Sequence, residues 1–391
     1  MRILYSAIDQ VVPGVKGGSV HVAAVAEGLA ALGHDVCALV TPGPTLPTSL
    51  ARRTNAVQWI ALPAPLGLPH LRLLRARAVG RIVRSFRPDI IMERYHNFGG
   101  EAIRAAGRAN AIAVLEINAP AVDHAGSIKS IIDRALVVQP MRRWREHICA
   151  LADVVATPSA AIVPRIVPRE RILELEWGAD TDRFKPGGSA APPFARPAGT
   201  ATLSVFAGAF RSWHGAIQLV RAIRRLHASG RRDIGAVLIG DGPELPRARR
   251  EAADAPGITF TGALPHDQMP AALAAAEIGV APFDLSAHAP LSLGFYWSPL
   301  KMFEYMAAGL PVVAPAADRI PSLIAHGREG ILYDPSAEGG LENALVRLTD
   351  AGLRARLGAA ARERAVRDYS WSAHCRALET AFGRALSRRS S

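Results

Sequence analysis

Short apolar runs alternate with helically spaced segments along the whole chain. RILYSAI (2–8), DVCALVT (35–41), VQWIALP (57–63), PDIIMER (88–94) and AIAVLEIN (111–118) are near-continuous apolar stretches of strand length. After the first of them, VHVAAVAEGLAALG (20–33) sets Val22, Val25, Leu29 and Leu32 at helical spacing. Strands apolar on both faces, alternating with amphipathic helices, predict parallel sheets covered on both sides. The rhythm resumes with TLSVFAGAF (202–210), AVLIGDG (236–242), ITFTGAL (258–264), IGVAPF (278–283), PVVAPA (311–316) and GILYDP (330–335). Between the two series, FKPGGSAAPPFARPAGT (184–200) is rich in Pro, Gly and small residues and reads as a linker. The pattern therefore predicts an α/β protein of two Rossmann-like, doubly wound domains, over 1–183 and 201–370, facing across a cleft. Residues 371–391 are expected to form a helix that packs back on the first domain. In sheets of this kind ligands bind at the carboxyl ends of the strands.

Length and composition bound this reading. At 391 residues the chain exceeds one compact core. With 49% hydrophobic and 20% charged residues it has the make-up of a soluble globular protein. No apolar run approaches a membrane span, and the first strand begins at once, which argues against a signal peptide. Cys37, Cys149 and Cys375 are too few and too scattered for a disulfide framework or a cysteine zinc site, and suit a reducing cytoplasm. The net charge of +12, carried mainly by arginine, favours anionic partners without choosing among nucleotides, lipid head groups and nucleic acid.

Chemistry concentrates in a few stretches. In SPLKMFEYMAAGLPVVA (298–314), Ser298 reads as a helix N-cap and Pro299 as the first helical residue, with a stop at Gly309 and Pro311. Lys301 and Glu304 then lie three apart on one face. A free helix start with a lysine in its first turn suits a phosphate, and a carboxylate one turn later suits vicinal hydroxyls; an ordinary capped helix has the same pattern. Gly17 and Gly18, followed by Ser19 as N-cap, allow close approach of an anion, or simply make a tight turn. There is no GxGxxG and no GxxxxGK[ST]. After the second half's first strand, Gly208, Arg211 and His214 precede a helix; arginine can bridge two phosphate oxygens, and histidine adds charge only if protonated. Gly240 closes the strand in VLIGDGPE, and the Thr261–Leu264 loop could hold a nucleobase through backbone groups or be simply a structural turn.

Taken in order, GG…GH, ADTDRFKP (179–186), FAGAFRSWHG (206–215), GDGPE, FTG, the 298–314 block, HGREGILYDP (326–335) and RDYSW (367–371) resemble the family-4-type retaining glycosyltransferases of the two-Rossmann-domain (GT-B) class. The resemblance spans nearly the whole chain. It implies transfer of a sugar from a UDP- or GDP-sugar to an acceptor hydroxyl, with the donor in the second domain and the acceptor in the first. Glu304 then matches the ribose-binding acid, and Lys301 with the turn before it the diphosphate contact. The partner glutamate of the family motif falls on Tyr296. The usual basic pair falls on Ala209 and His214, with Arg211 displaced. The histidine of the first domain falls on Asn118, and His96 at the previous strand end could supply a polar group instead. Catalytic candidates are thus Lys301, Arg211, His214, His96 and Asn118; donor-binding candidates are Glu304, Ser298, Tyr296, Gly208, Gly240, Gly262 and Leu264; Gly17 and Gly18 form an acceptor or phosphate loop.

No metal or other cofactor is expected, because Asp180 and Asp182 belong to a turn motif without further ligands nearby and fixed cations can neutralise the departing diphosphate. The expected location is the cytoplasm, with possible peripheral contact to an anionic inner membrane face through basic stretches at 72–88 or 141–147; for 72–88 a core-packed helix with a solvated basic face is the favoured reading. Competing readings are a catalytically weakened nucleotide-sugar-binding protein and a nucleotide-sugar 2-epimerase. Nucleic acid is not an expected partner, since the arginines are dispersed and no recognition module is present.

Overall fold

A computed structural model describes residues 1–14, 17–43, 52–54, 56–62, 75–124, 127–136, 138–188, 191–253 and 255–390. The chain divides into two compact units: Met1–Gly178 with Tyr296–Ser298 and Trp371–Ser391, and Ala179–Phe295 with Pro299–Ser370.

The first unit holds strands β1 (Arg2–Val12), β2 (Asp35–Pro42), β3 (Arg52–Thr54), β4 (Val57–Ala61), β5 (Ile90–Arg94), β6 (Ile112–Glu116), β7 (Val154–Thr157) and β8 (Ile172–Glu174). They form one sheet in the order β3-β4-β2-β1-β5-β6-β7-β8, parallel except for the β3 edge. Ile3 of β1 pairs with Val36 of β2 on one side and Ile90 of β5 on the other. Its helices are α1 (Gly17–Ala31), α2 (Ala76–Phe86), α3 (Ile103–Ala109), α4 (Ile128–Ala135) and α5 (Pro140–Ala150).

The second unit holds β9 (Thr202–Ala207), β10 (Ile234–Ile239), β11 (Ile258–Gly262), β12 (Ile278–Val280), β13 (Val312–Pro315) and β14 (Gly330–Tyr333), all parallel, in the order β11-β10-β9-β12-β13-β14. Its helices are α6 (Ala216–Ala228), α7 (Leu245–Ala252), α8 (Met269–Ala274), α9 (Leu300–Ala307), α10 (Ile320–Leu323), α11 (Gly340–Arg347) and α12 (Ala351–Asp368). Strand order reverses beside β9 in this sheet and beside β1 in the other, the point at which doubly wound sheets open a crevice at their carboxyl edge. The two sheets are the α/β, doubly wound pair that the apolar rhythm predicts. β7 and β8 are short and lie far from the rest of the pattern, in ADVVATP and RILELE, and the periodicity does not announce them.

Helix α13 (Trp371–Ser390) completes the first unit, where Cys375, Leu378, Phe382 and Ala385 join a core made by Val22, Val25 and Leu29 of α1 and the inner residues of β1 and β2. The approach is close: a Cβ on Gly28 would lie 2.5 Å from the Cys375 sulfur. Burying an aromatic or leucine side chain contributes about 1.5–3 kcal/mol, so Leu378 and Phe382 bind this helix firmly. Residues 184–200, linker-like in composition, lie within the second unit: Phe184 is buried, and Arg196 pairs with Glu277 and bonds the carbonyls of Thr200, Ala201 and Ala275. Proline and glycine mark the irregular backbone there, while fixed points come from single side chains.

Candidate functional site

In the second unit the site grows from the ends of β9, β10 and β11. The Gly208 amide donates to the Ile239 carbonyl, and the Gly240 amide to the Gly262 carbonyl, so the three strand ends are laced together. Gly240 has φ +130°, and a Cβ there would lie 1.9 Å from the Gly208 carbonyl oxygen; no other residue fits. Onto this ledge comes α9. No side chain caps it, and Pro299 rather than Ser298 holds the N-cap position, its carbonyl accepting from the Met302 amide. The helix stops as the pattern predicts, at Gly309 in the left-handed region (φ +77°).

Lys301 folds back over the ring of Phe206, with Nζ 4.2 Å from its centroid and 5.4 Å from that of Phe283. Part of the residue reaches the surface, but its ammonium is enclosed and has no hydrogen-bond acceptor among the described residues. Burial pushes its pKa down to about 7, with Glu304 opposing. A Cβ on Gly208 would lie 2.8 Å from that nitrogen and 3.7 Å from His214, so both side chains converge on the strand end. His214 bonds the Ala209 carbonyl through Nδ1, which makes Nδ1 the protonated nitrogen. Burial first, then Lys301 and Arg211, push its pKa down to about 3. His214 is therefore neutral in the free protein, because it is buried and has two cations beside it, and it would add charge only if protonated. Arg211 is exposed, with its guanidinium 5.9 Å over the ring of Trp213.

Glu304, one turn into α9, is largely covered, and its carboxylate lies 3.7 Å from His266 Nε2. Arg183 approaches the other His266 nitrogen at 3.1 Å, and Phe184 stands edge-on to the ring. Sequence reasoning missed His266 and Arg183. The only available signals were their positions inside ADTDRFKP and just after the FTG loop. Leu264, half-buried, precedes His266 in the same loop. In the turn at 180–183, Asp180 accepts from the Arg183 amide, which gives that carboxylate a backbone role.

Ser298 and Tyr296 are placed differently from the other donor candidates. Both belong to the first unit, where the Ser298 hydroxyl donates to Glu176 and accepts from the Trp177 amide. Ser298 as helix cap is thus a correction: its hydroxyl is taken by the 176–177 segment that follows β8, and the helix starts beyond it. Tyr296 is half-buried and stands edge-on to Trp297.

The first unit's candidates line a cavity of about 620 Å³ bounded by Asp9, Gln10, Arg94, His96, Asn118 and Lys129, among others. Beneath it lies a buried network. Arg94 spans Asp9 (3.5 Å) and Glu116 (3.8 Å), Tyr5 donates to Glu116 at 2.6 Å, and His21 contacts the same carboxylate. Burial alone would push the Glu116 carboxyl up, but His21, Arg94 and Tyr5 outweigh it and hold it well below the usual range. His21 stacks on Trp177 at 4.3 Å, and Trp177 Nε1 donates to Asn118 Oδ1 at 2.8 Å. The Asn118 amide nitrogen is buried and meets no acceptor among the described residues. His96 contacts the Arg94 carbonyl through Nδ1 and lies 3.8 Å from Glu101. Close by, Glu93 accepts from the amides of Gly100, Ala102 and Ile103 at the start of α3. Gly17 opens α1, so Ser19 lies within its first turn instead of capping it; a Cβ on Gly18 would strike the Gln10 side chain at 2.2 Å.

The basic helix at 72–88 is α2 from Ala76, residues 72–74 being outside the described residues. Val79, Val83 and Phe86 are buried and Arg77, Arg81 and Arg84 face outward on its other side, the core-packed arrangement.

A laced glycine ledge with an uncapped helix start, in a chain of two doubly wound units, fits the two-Rossmann-domain glycosyltransferases. Residues 16–173 match the "Glycosyl transferase 4-like domain" and residues 201–351 "Glycosyl transferases group 1". The chain belongs to this glycosyltransferase family, the family-4 type. It is 27% identical over 395 residues to a GDP-mannose-dependent alpha-mannosyltransferase of Corynebacterium glutamicum, covering 97% of this chain and 87% of that protein. The similarly named protein of Mycolicibacterium smegmatis is 26% identical, covering 100% and 99%. The fold matches sucrose-phosphate synthase from Thermosynechococcus elongatus with a TM-score of 0.71 at 18% identity, covering 99% of each chain.

Proposed function

We propose that the chain transfers a sugar from a nucleotide-diphosphate sugar to an acceptor hydroxyl with retention of anomeric configuration and without a metal, the second unit holding the donor and the first the acceptor. The observation that carries this reading is Lys301: a buried ammonium without an acceptor among the described residues, at an uncapped helix start and against a glycine ledge, is a seat for a diphosphate. The mannosyltransferase relatives make GDP-mannose the first donor to try, ahead of UDP- and ADP-sugars.

Breaking the anomeric bond builds negative charge on the departing phosphate and positive charge on the sugar. Lys301, the first-turn amides of α9 and Arg211 receive the first; each such preorganised donor contributes about 3–4 kcal/mol to the step. His214, neutral in the free protein, gains a reason to accept a proton once two phosphates lie beside it. Glu304 accepts from the ribose hydroxyls, with His266 fixing its carboxylate. The acceptor hydroxyl attacks from the face the phosphate leaves, and the departing phosphate oxygen takes its proton, so no strong carboxylate base is needed. His96 and Asn118 orient the acceptor in the first unit.

Steady-state kinetics of Lys301→Ala test this. The expected result is a fall in kcat of about a hundred- to a thousandfold with acceptor KM little changed. An unchanged kcat ends the electrostatic mechanism. Full conversion of the donor with no acceptor present would favour the epimerase reading, and tight donor binding without turnover the weakened binder.

A further inference from the structure

Helices α2 and α3 lie side by side and leave a cavity of about 710 Å³ along them. Ala76 and Gly80 of α2 and Ala105 and Ala109 of α3 face it with almost no side chain, while the buried Val83 and Leu386 of α13 add an apolar wall. Packing does not require so small a residue at Gly80: a Cβ there would meet nothing nearer than Arg84 Nη1 at 3.7 Å. Four arginines stand around the cavity, Arg84, Arg87, Arg104 and Arg108, all exposed. Arg104 lies over the Trp144 ring at 5.4 Å, and none of the four makes an ion pair among the described residues. Several other exposed arginines do pair, as in Arg142–Glu146, Arg169–Glu174 and Arg221–Glu251. Two acids line the same cavity, but Asp89 already accepts from the Arg2 amide at 2.7 Å, and Glu101 is buried 3.8 Å from His96. The cavity is therefore roomy, walled by small residues and short of negative charge.

We propose that this cavity binds a soluble organic phosphate carrying two or more negative charges, the arginines holding its phosphate and the small-residue walls its body. A guanidinium fork matches phosphate oxygens two at a time, and cations gathered without a counter-charge raise the local concentration of anions. The size and the mixture of apolar wall with a few charged groups are those of a small-molecule site. A bilayer fits poorly, because none of the exposed large hydrophobics among the described residues lies on α2 or α3, and no described helix is long and apolar enough to cross a membrane. The cavity is also distinct from the 620 Å³ one, with which it shares no lining residue. It reaches Asp89 and Asn110 just ahead of β5 and β6, whereas His96 and Asn118 follow those strands. Its occupant is therefore neither the sugar donor nor the acceptor, and the site stands whichever donor the reaction uses.

Titration calorimetry of the full chain with phenyl phosphate, inorganic phosphate and phenol tests the site. Phenyl phosphate is expected to bind, inorganic phosphate to bind about tenfold more weakly for want of an apolar body, and phenol not to bind. The paired substitution Arg84→Gln and Arg108→Gln should weaken phenyl phosphate by about tenfold or more. Gly80→Leu should abolish its binding with all four arginines kept, because leucine occupies the room. That variant should melt at or above the wild-type Tm, since leucine favours the helix, so its loss of binding is not a loss of folding. Lys301→Ala and Asn118→Ala should bind phenyl phosphate as the wild type does. No binding by the wild type at millimolar phenyl phosphate, or binding unmoved by Gly80→Leu, overturns the proposal. Loss in Lys301→Ala with the arginine variant unaffected overturns it in favour of the helix start of α9. Pelleting with phosphatidylglycerol vesicles that the arginine variant loses, in a wild type that ignores phenyl phosphate, overturns it in favour of a lipid surface.

Discussion

Lys301 in the second unit and Arg94 in the first are both cations enclosed at the carboxyl end of a parallel sheet, yet they are treated in opposite ways. Arg94 lies between the carboxylates of Asp9 and Glu116, and Glu116 is further held by Tyr5 and His21. Lys301 has aromatic faces beneath it, a neutral histidine beside it, and no acceptor among the described residues. A closed set of charges gives a rigid floor that changes little when a neutral sugar arrives. An open cation costs stability until an anion arrives, and returns that cost as binding energy.

The contrast predicts opposite responses to removing the cation. Arg94→Met leaves two carboxylates enclosed without their common partner and should destabilise the first unit by about 3–5 kcal/mol. Urea unfolding would show this as a lower midpoint at unchanged slope; a midpoint equal to wild type would mean the network is not the floor described.

Lys301→Met should do the reverse. A lysine whose pKa falls from 10.5 to about 7 opposes folding, since the unfolded chain holds that proton more tightly. The penalty is complete below pH 7 and fades as pH rises toward the unfolded value. With relaxation of the surroundings, the substitution should stabilise the second unit by on the order of 2–3 kcal/mol at neutral pH, read as several degrees in Tm. The gain should shrink when the scan is repeated above pH 9. A variant less stable than wild type would show that Lys301 is paired in solution.

The same pKa sets a pH dependence. The ammonium form binds an anion, and it is depleted in the free protein as pH rises through 7. Donor affinity should therefore fall about tenfold between pH 6 and pH 8. The corresponding change should vanish in Lys301→Arg, whose guanidinium stays charged. An affinity flat across this range in the wild type would place the diphosphate elsewhere.

How far these sites are legible in the sequence follows from how each is assembled. Lys301, Glu304 and the stop at Gly309 come from one contiguous helix, so local spacing carries both the element and its chemistry. The doubly wound fold is legible for the same reason, strand after strand. The floor of the first unit is not. Asp9, His21, Arg94, Glu116 and Trp177 are single residues from β1, α1, β5, β6 and the segment after β8, and each alone looks like an ordinary surface or core residue. Ser298 misleads because helix-cap chemistry is local while its actual partners, Glu176 and Trp177, lie more than a hundred positions away.

The smallest effect is expected where the two sites are most alike. Asn118, like Lys301, keeps a buried donor without an acceptor among the described residues, but it carries no charge. Trp177 Nε1 can only donate, so the oxygen of Asn118 is the atom facing it and the nitrogen is the atom left for a ligand. Asn118→Ala removes both functions and should raise acceptor KM several-fold, worth about 1 kcal/mol, with donor affinity unchanged. Asn118→Asp separates them: the carboxylate still accepts from Trp177 but can no longer donate to an acceptor hydroxyl. If the aspartate variant shows the same KM rise as the alanine variant, the amide donates to the acceptor. If it behaves as wild type, Asn118 acts only by holding Trp177 against His21, and the first unit offers the acceptor a shape set by its paired charges, with no donor of its own at this position.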